Sequence, residues 1–305
     1  MTNILSQLTT EQPHEHTQNI DQLSSEEIMT LINNEDSLIT DTIRELIPTI
    51  AKAADLIVEA FQNGGRLFYV GAGTSGRIGI LDASECPPTY GTDPSMVQGL
   101  IAGGFRAVKE AIEGAEDSEE LGEQDMNEHG INEKDVVIGI AASGRTPYVL
   151  GAMRRAKELG AVVIGLCNNY NSPMQQDADF VIEAVVGPEV IMGSTRMKAG
   201  TSQKLILNML TTTAMIRIGK VYKNLMVDLN PSNNKLVHRA KRIITLATGA
   251  SDEDVEKAYF EAGAHVKTAI VMLLANVNAE EAARLLEGTN GFVRSAINLK
   301  AHKGS

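Results

Sequence analysis

The 305-residue sequence contains no tryptophan, and aromatic residues make up only 4% of it, so any core must be aliphatic. There are two cysteines, Cys86 and Cys167. That is too few for a disulfide framework, their spacing with histidine fits no zinc pattern, and they read as reduced thiols. Cationic residues are in the minority, 27 Lys and Arg against 39 Asp and Glu, for a net charge of −12. Such a balance argues against a nucleic-acid or membrane-surface role, and an anionic ligand would need a local patch of donors. No basic segment followed by an apolar core opens the chain. The most apolar helical stretch, "LILNMLTTTAMIRI" (205–218), is too short and too polar to span a bilayer. A soluble cytoplasmic protein with no nucleic-acid or membrane partner is expected.

What is present is alternation. Hydrophobic residues reach 43%, enough for a sizeable core. Residues 1–24 are polar and read as a loosely ordered arm. "SSEEIMTLINNED" (24–36) opens a helix with a capping-box pattern from Ser24 to Glu27. A longer helix over 41–65 follows, with Ile43, Leu46, Ile47, Ile50, Ala54 and Ile57 on one face; Pro48 should kink or divide it. Apolar strand runs at 66–70, 96–103, 135–143, 161–167 and 179–186 then alternate with helical segments, one of which should stop at Pro87-Pro88. Nearly continuous apolar runs are what parallel strands covered on both faces require. The expected fold is α/β, a doubly wound and mostly parallel five-stranded sheet with flanking helices. After a loop over 187–201 the chain reads as all helical, ending in a small C-terminal bundle of three helices. The expected division is an N-terminal arm and helices over 1–56, the α/β domain over 57–220, a connecting helix over 221–250 and the bundle over 251–305.

Three segments combine hydroxyls with cations at the start of a helix. The first, "GAGTSGR" (71–77), has the spacing Gly71-x-Gly73-x-x-Gly76 of a dinucleotide loop. The second strand, however, ends in "IAGGF" (101–105), with no acid to hold ribose hydroxyls. A phosphomonoester explains more: helix N-termini attract anions, and Thr74 and Ser75 add hydroxyl donors around Gly76. The second, "ASGRT" (142–146), repeats the pattern after the third strand with Ser143, Gly144, Arg145 and Thr146. Loops after neighbouring parallel strands meet at the carboxyl edge of the sheet, so both could face one phosphate. Arg77 and Arg145 read equally well as site residues or as surface arginines. The third, "GSTRMKAGTSQK" (193–204), carries Ser194, Thr195, Arg196 and Lys198; its plainer reading is a polar loop with an N-cap. His129 and His265 read as structural histidines.

These motifs resemble the SIS (sugar isomerase) domain, a sugar-phosphate-binding module. More specifically, "YVGAGTSGRIGILDASECPPTYG" (69–91), "EGAEDS" (113–118), "AASGRTPYV" (141–149) and "GSTRMKAGTSQKLILNML" (193–210) resemble the N-acetylmuramic acid 6-phosphate etherase family, from about residue 20 to 298. The resemblance implies cleavage of the D-lactyl ether of the phosphorylated sugar, a homodimer, and neither metal nor nucleotide cofactor. It places catalysis on Glu85, as proton donor, and Glu116, as a second acid–base residue. It implies substrate binding by Thr74, Ser75, Gly76, Arg77, Ser143, Gly144, Arg145, Thr146, Ser194, Arg196 and Lys198. Two positioned acid–base groups suffice for such a cleavage, one removing the proton alpha to an opened aldehyde and one protonating the departing oxygen. Related alternatives are a non-catalytic sugar-phosphate sensor and an aldose–ketose isomerase.

From the residues themselves, Glu85 sits in a largely uncharged stretch and is expected to be a part-buried acid. Glu116 lies among Glu113, Asp117, Glu119 and Glu120, where a solvated acidic face with an N-cap at Asp117 or Ser118 is the plainer reading. Ser75 and Glu85 are ten positions apart, about 15 Å along an unbroken helix. Either the helix breaks, or Glu85 serves the loop of a second subunit.

Overall fold

The computed structural model describes residues 7–110, 112, 114–229, 231 and 234–303. By internal contacts the chain forms two compact units. One comprises Met1–Ser84 and Ser95–Thr211, the other Glu85–Pro94 and Thr212–Ser305.

The first unit is built on a five-stranded sheet of order β2-β1-β3-β4-β5, all neighbours parallel. The strands are β1 (Leu67–Gly71), β2 (Val97–Ile101), β3 (Val136–Ile140), β4 (Val162–Cys167) and β5 (Phe180–Glu183). β1 and β3 are buried at every position, as their aliphatic runs require. They pair in register from Leu67↔Val136 to Gly71↔Ile140, so the loops that follow them leave the same edge at the same level. At the opposite end of this pair, the Asp135 carboxylate takes Arg66 Nη2 at 2.6 Å and the Arg66 backbone N–H at 2.9 Å.

Helices α1 (Ser25–Ser37), α2 (Ile39–Gln62), α3 (Gly73–Tyr90), α4 (Glu119–Glu128), α5 (Pro147–Glu158), the short α6 (Met174–Asp177) and α7 (Lys198–Arg217) complete the α/β part. α1 begins with the capping box foreseen at Ser24 and Glu27. Pro48 does not divide α2: the helix runs on through it, with Ile43, Ile50, Ala54 and Ile57 buried on the face opposite the exposed proline. Ile47, expected on that buried face, is exposed.

Pro87-Pro88 does not stop α3 either. The helix runs on to Tyr90, and Ala83 and Cys86 are both buried on it. A proline penalty of about 3 kcal/mol is local, and burial along the rest of a helix can outweigh it. The arm is more ordered than its composition implies: its described part forms short 3-10 turns at Thr9–Glu11, Glu15–Thr17 and Ile20–Gln22.

The second unit holds a two-stranded antiparallel hairpin, β6 (Val221–Tyr222) and β7 (Leu225–Met226), which the sequence reading passed over. It then continues as α8 (Asn234–Thr248), α9 (Asp252–Glu261), α10 (Val266–Ala275), α11 (Ala279–Glu287) and α12 (Val293–Lys303). Four helices therefore follow residue 251, not three. The fourth was missed because its apolar periodicity is weak beside the glycine stop that precedes it. An aliphatic core around Ile244, Ile270, Leu286 and Ala296 holds these helices. Cys86 and Cys167 are buried, and neither is in a disulfide among the described residues. Among the described residues no helix is long and apolar enough to cross a membrane.

Candidate functional site

The loops after β1 and β3 enclose one cavity of about 610 Å³, within the range of small-molecule pockets. Its walls include Gly73, Thr74 and Ser75 from the first loop and Ser143, Arg145 and Thr146 from the second, together with Thr195, Glu116, Asp117, Thr10 and Glu11.

The first loop becomes α3 at once. The first helical bond runs from Gly76 N to Ala72 O at 3.2 Å, so the amides of Gly73, Thr74 and Ser75 precede it and have no intrahelical acceptor. Three N–H groups, the positive end of the helix and the Thr74 hydroxyl make a ready anion cradle. The buried Ser75 hydroxyl donates to Gln203 Oε1 at 2.9 Å, and Gln203 in turn donates to Asn168 Oδ1 at 2.9 Å, which fixes the loop against α7 and β4. Gly76 is needed for close packing: a Cβ there would lie 2.6 Å from Ile101 and 2.8 Å from the Gly71 oxygen.

The second loop turns at Gly144, whose φ of 67° favours glycine. Ser143 Oγ accepts the Arg145 N–H at 3.2 Å. Thr146 is the N-cap of α5, yet its hydroxyl makes no capping bond, and Pro147 follows at the first helical position. Arg145 Nε is buried without a hydrogen-bond partner among the described residues. An orphaned buried donor costs about 1–3 kcal/mol or more when charged, and a bound anion would satisfy it.

Glu116 sits on the short 3-10 turn Ala115–Asp117, entered through Gly114 at φ 75°. Ser118 caps α4 by accepting the Leu121 N–H at 3.2 Å, so the N-cap role falls there. Glu116 is exposed, as a solvated acidic face would have it, and it also lines the cavity. Glu116 also borders a smaller cavity of about 210 Å³ that holds Arg77. Arg77 donates to the Val108 oxygen at 3.0 Å and the Glu110 oxygen at 3.4 Å, holding that segment beside the loop.

The third cluster behaves differently. Glu189, buried to 1% exposure, takes the backbone N–H groups of Lys198 and Ala199 at 2.9 Å each, so a carboxylate already occupies the start of α7. Burial pushes the Glu189 carboxyl up, against the lowering pull of those two amides. Lys198 is buried, and its Nζ lies 2.6 Å from Glu35 Oε2. His14 Nε2 meets the same carboxylate at 3.0 Å. Burial alone would raise the Glu35 carboxyl, but the hydrogen bonds of Lys198 and His14 and the charge of Lys198 outweigh it and the net direction is downward. Arg196 is exposed, and of this cluster only Thr195 lines the cavity.

Glu85 is exposed rather than part-buried, and it lies on the last turns of α3. The two histidines hold structural contacts. His129 Nδ1 lies 2.9 Å from the Asp125 oxygen and His265 Nδ1 lies 2.8 Å from Thr268 Oγ1. Sequence reasoning missed Thr10, Glu11 and Asp117 as cavity residues. For the first two, no local signal marks a polar arm as a wall of a site.

The parallel sheet and its two hydroxyl-bearing loops lie in the stretch that SIS-domain profiles match. A family profile described as "SIS domain" matches residues 109–213, and one described as "Glucokinase regulatory protein N-terminal SIS domain" matches residues 49–157. Among solved structures, a phosphoheptose isomerase from Francisella tularensis aligns at a TM-score of 0.44 and 20% identity, over 64% of this chain and 98% of that one. The chain belongs to the N-acetylmuramic acid 6-phosphate etherase family. It is 55% identical over 294 residues to the N-acetylmuramic acid 6-phosphate etherase of Aliivibrio fischeri, covering 96% of this chain and 98% of that protein. To the Clostridium acetobutylicum etherase it is 52% identical over 299 residues, 98% of this chain and 99% of that one.

Proposed function

We infer that this chain cleaves the D-lactyl ether of N-acetylmuramic acid 6-phosphate with water, giving N-acetylglucosamine 6-phosphate and D-lactate in amino-sugar recycling or catabolism, in the cytoplasm. The observation that carries the reading is one cavity that offers hydroxyls and free helix-start amides at one end and the Glu116 carboxylate in its wall, in a chain 55% identical to such an etherase over almost its whole length.

The phosphate binds to the amides of the first loop, Thr74, Ser143 and Thr146, with Arg145 Nε completing its charge balance. This fixes the sugar without touching the reacting carbons. With the sugar open, the C1 aldehyde acidifies the C2 proton. A carboxylate removes it, electrons shift to form the C2–C3 double bond, and the C3–O bond breaks as a protonated carboxyl donates to the departing lactyl oxygen. Water then adds its oxygen at C3, C2 regains a proton, and both acid–base groups return to their starting states. Glu116 is one of the two groups. Glu85 is the other, as proton donor.

Because α3 is unbroken from Gly73 to Tyr90, Glu85 is about 15 Å along the axis from the phosphate loop of its own chain, longer than a hexose phosphate. In this reading the protein is a homodimer and Glu85 serves the partner's cavity.

Two experiments test the reading. Turnover in 18O-water places the label on O3 of N-acetylglucosamine 6-phosphate and none in lactate. Label in lactate overturns elimination at C3, and tight sugar-phosphate binding with no lactate would mark a sensor instead. Mixing Glu85→Ala with Glu116→Ala chains restores lactate release in the mixed dimers. No recovery above either parent overturns the shared site.

A further inference from the structure

We propose that Glu11, on the N-terminal arm, is a substrate-contacting residue that selects the hydroxyl- and amide-bearing part of the sugar. This rests on the etherase reading of the same cavity. Thr10 and Glu11 are part of the cavity wall. The turn that carries them is closed by the Glu11 N–H to the Leu8 oxygen at 3.0 Å.

The turn is anchored on both sides. Thr10 is 1% exposed, and its Oγ1 accepts from Asn169 Nδ2 at 3.0 Å; the same Nδ2 donates to the Ala142 oxygen at 3.0 Å, in the second phosphate loop. Three residues beyond Glu11, His14 meets the part-buried Glu35–Lys198 pair. Because His14 Nδ1 accepts the His16 N–H at 3.2 Å, Nε2 carries the proton that faces Glu35. Gly193 stands opposite: a Cβ there would lie 3.4 Å from Glu11 Oε2, so the carboxylate lies beside the third cluster. The Glu11 carboxylate itself makes no hydrogen bond or ion pair among the described residues.

A pinned, unpaired carboxylate in a pocket built for an anion must face the part of the ligand that is not anionic. The phosphate and the lactyl carboxylate are repelled by it, whereas sugar hydroxyls and the acetamido N–H donate to it. Glu11 therefore sets which end of the sugar enters and which substituents are tolerated beside the arm.

The test uses the full-length chain with Glu11→Ala and Glu11→Gln. Hydrogen bonds to a charged acceptor are worth about 1.5–3 kcal/mol, or roughly a 10- to 100-fold effect. Glu11→Ala should weaken binding of N-acetylglucosamine 6-phosphate by that factor and lower kcat/KM for lactate release in parallel. Glu11→Gln should keep part of both, since its amide oxygen still accepts. Binding of inorganic phosphate and the melting temperature should stay at wild-type values. Unchanged sugar-phosphate affinity overturns the proposal, as does an equal loss of inorganic phosphate binding, which would mark a purely structural arm. A wild-type chain that releases no lactate sinks the etherase reading, while the binding comparison still decides the role of Glu11.

Discussion

The loop at 71–77 and the cluster at 193–204 look alike as sequence, each mixing glycine, hydroxyls and a cation ahead of a helix. In the folded chain they have opposite fates. The amides that start α3 have no acceptor among the described residues and border a cavity, whereas those that start α7 are bonded to Glu189. Arg77 props a neighbouring segment, and Lys198 is buried against Glu35 and shares it with His14 of the arm. The difference teaches that such a motif advertises donors but not their acceptors. A helix start binds a ligand only where the protein has not already supplied a carboxylate of its own.

That contrast can be broken by substitution. The largest effect is expected at Glu116: Glu116→Gln should lower lactate release by about 10²–10⁴-fold, the usual worth of a general acid or base, with the melting temperature preserved. Next comes Lys198→Met, which leaves the part-buried Glu35 with one partner fewer. Losing a hydrogen bond to a charged group costs about 1.5–3 kcal/mol, read by denaturant unfolding. Should Lys198→Met leave stability intact and abolish sugar-phosphate binding, the division between the two clusters is wrong. Thr74→Val should do the reverse, weakening N-acetylglucosamine 6-phosphate by about 5-fold, near 1 kcal/mol, with unfolding unchanged.

The smallest effect is a pH dependence. Glu35 binds its proton less readily folded than unfolded, so the unfolded chain takes up more protons as pH falls. Its contribution is intact above the ordinary value of 4.5 and is lost as pH drops below that value through the lowered folded one. Hydrogen exchange of the 9–17 turns, wild type against Glu35→Gln, should therefore diverge above pH 4.5 and converge in acid. A difference that persists in acid would contradict the anchoring role of this carboxylate.

Much of the α/β part was legible because its signals are local. The five apolar runs needed only their own residues to read as buried parallel strands, and Ser24 with Glu27 announced a helix start. What escaped depends on partners far along the chain. Lys198 and Glu35 are separated by 163 residues, and nothing near either marks the pair. Thr10 finds Asn169 across 159 residues, so a polar arm read as loose is in fact tied down. Prolines misled the reading at 48 and 87–88 because their local penalty was weighed without the burial of the rest of each helix. The hairpin at 221–226 was too short to show any period.

The most direct measurement is D-lactate released when the purified full-length chain is given N-acetylmuramic acid 6-phosphate without added cofactor. The account predicts one D-lactate for each N-acetylglucosamine 6-phosphate formed. Binding of the substrate with neither product appearing would contradict it.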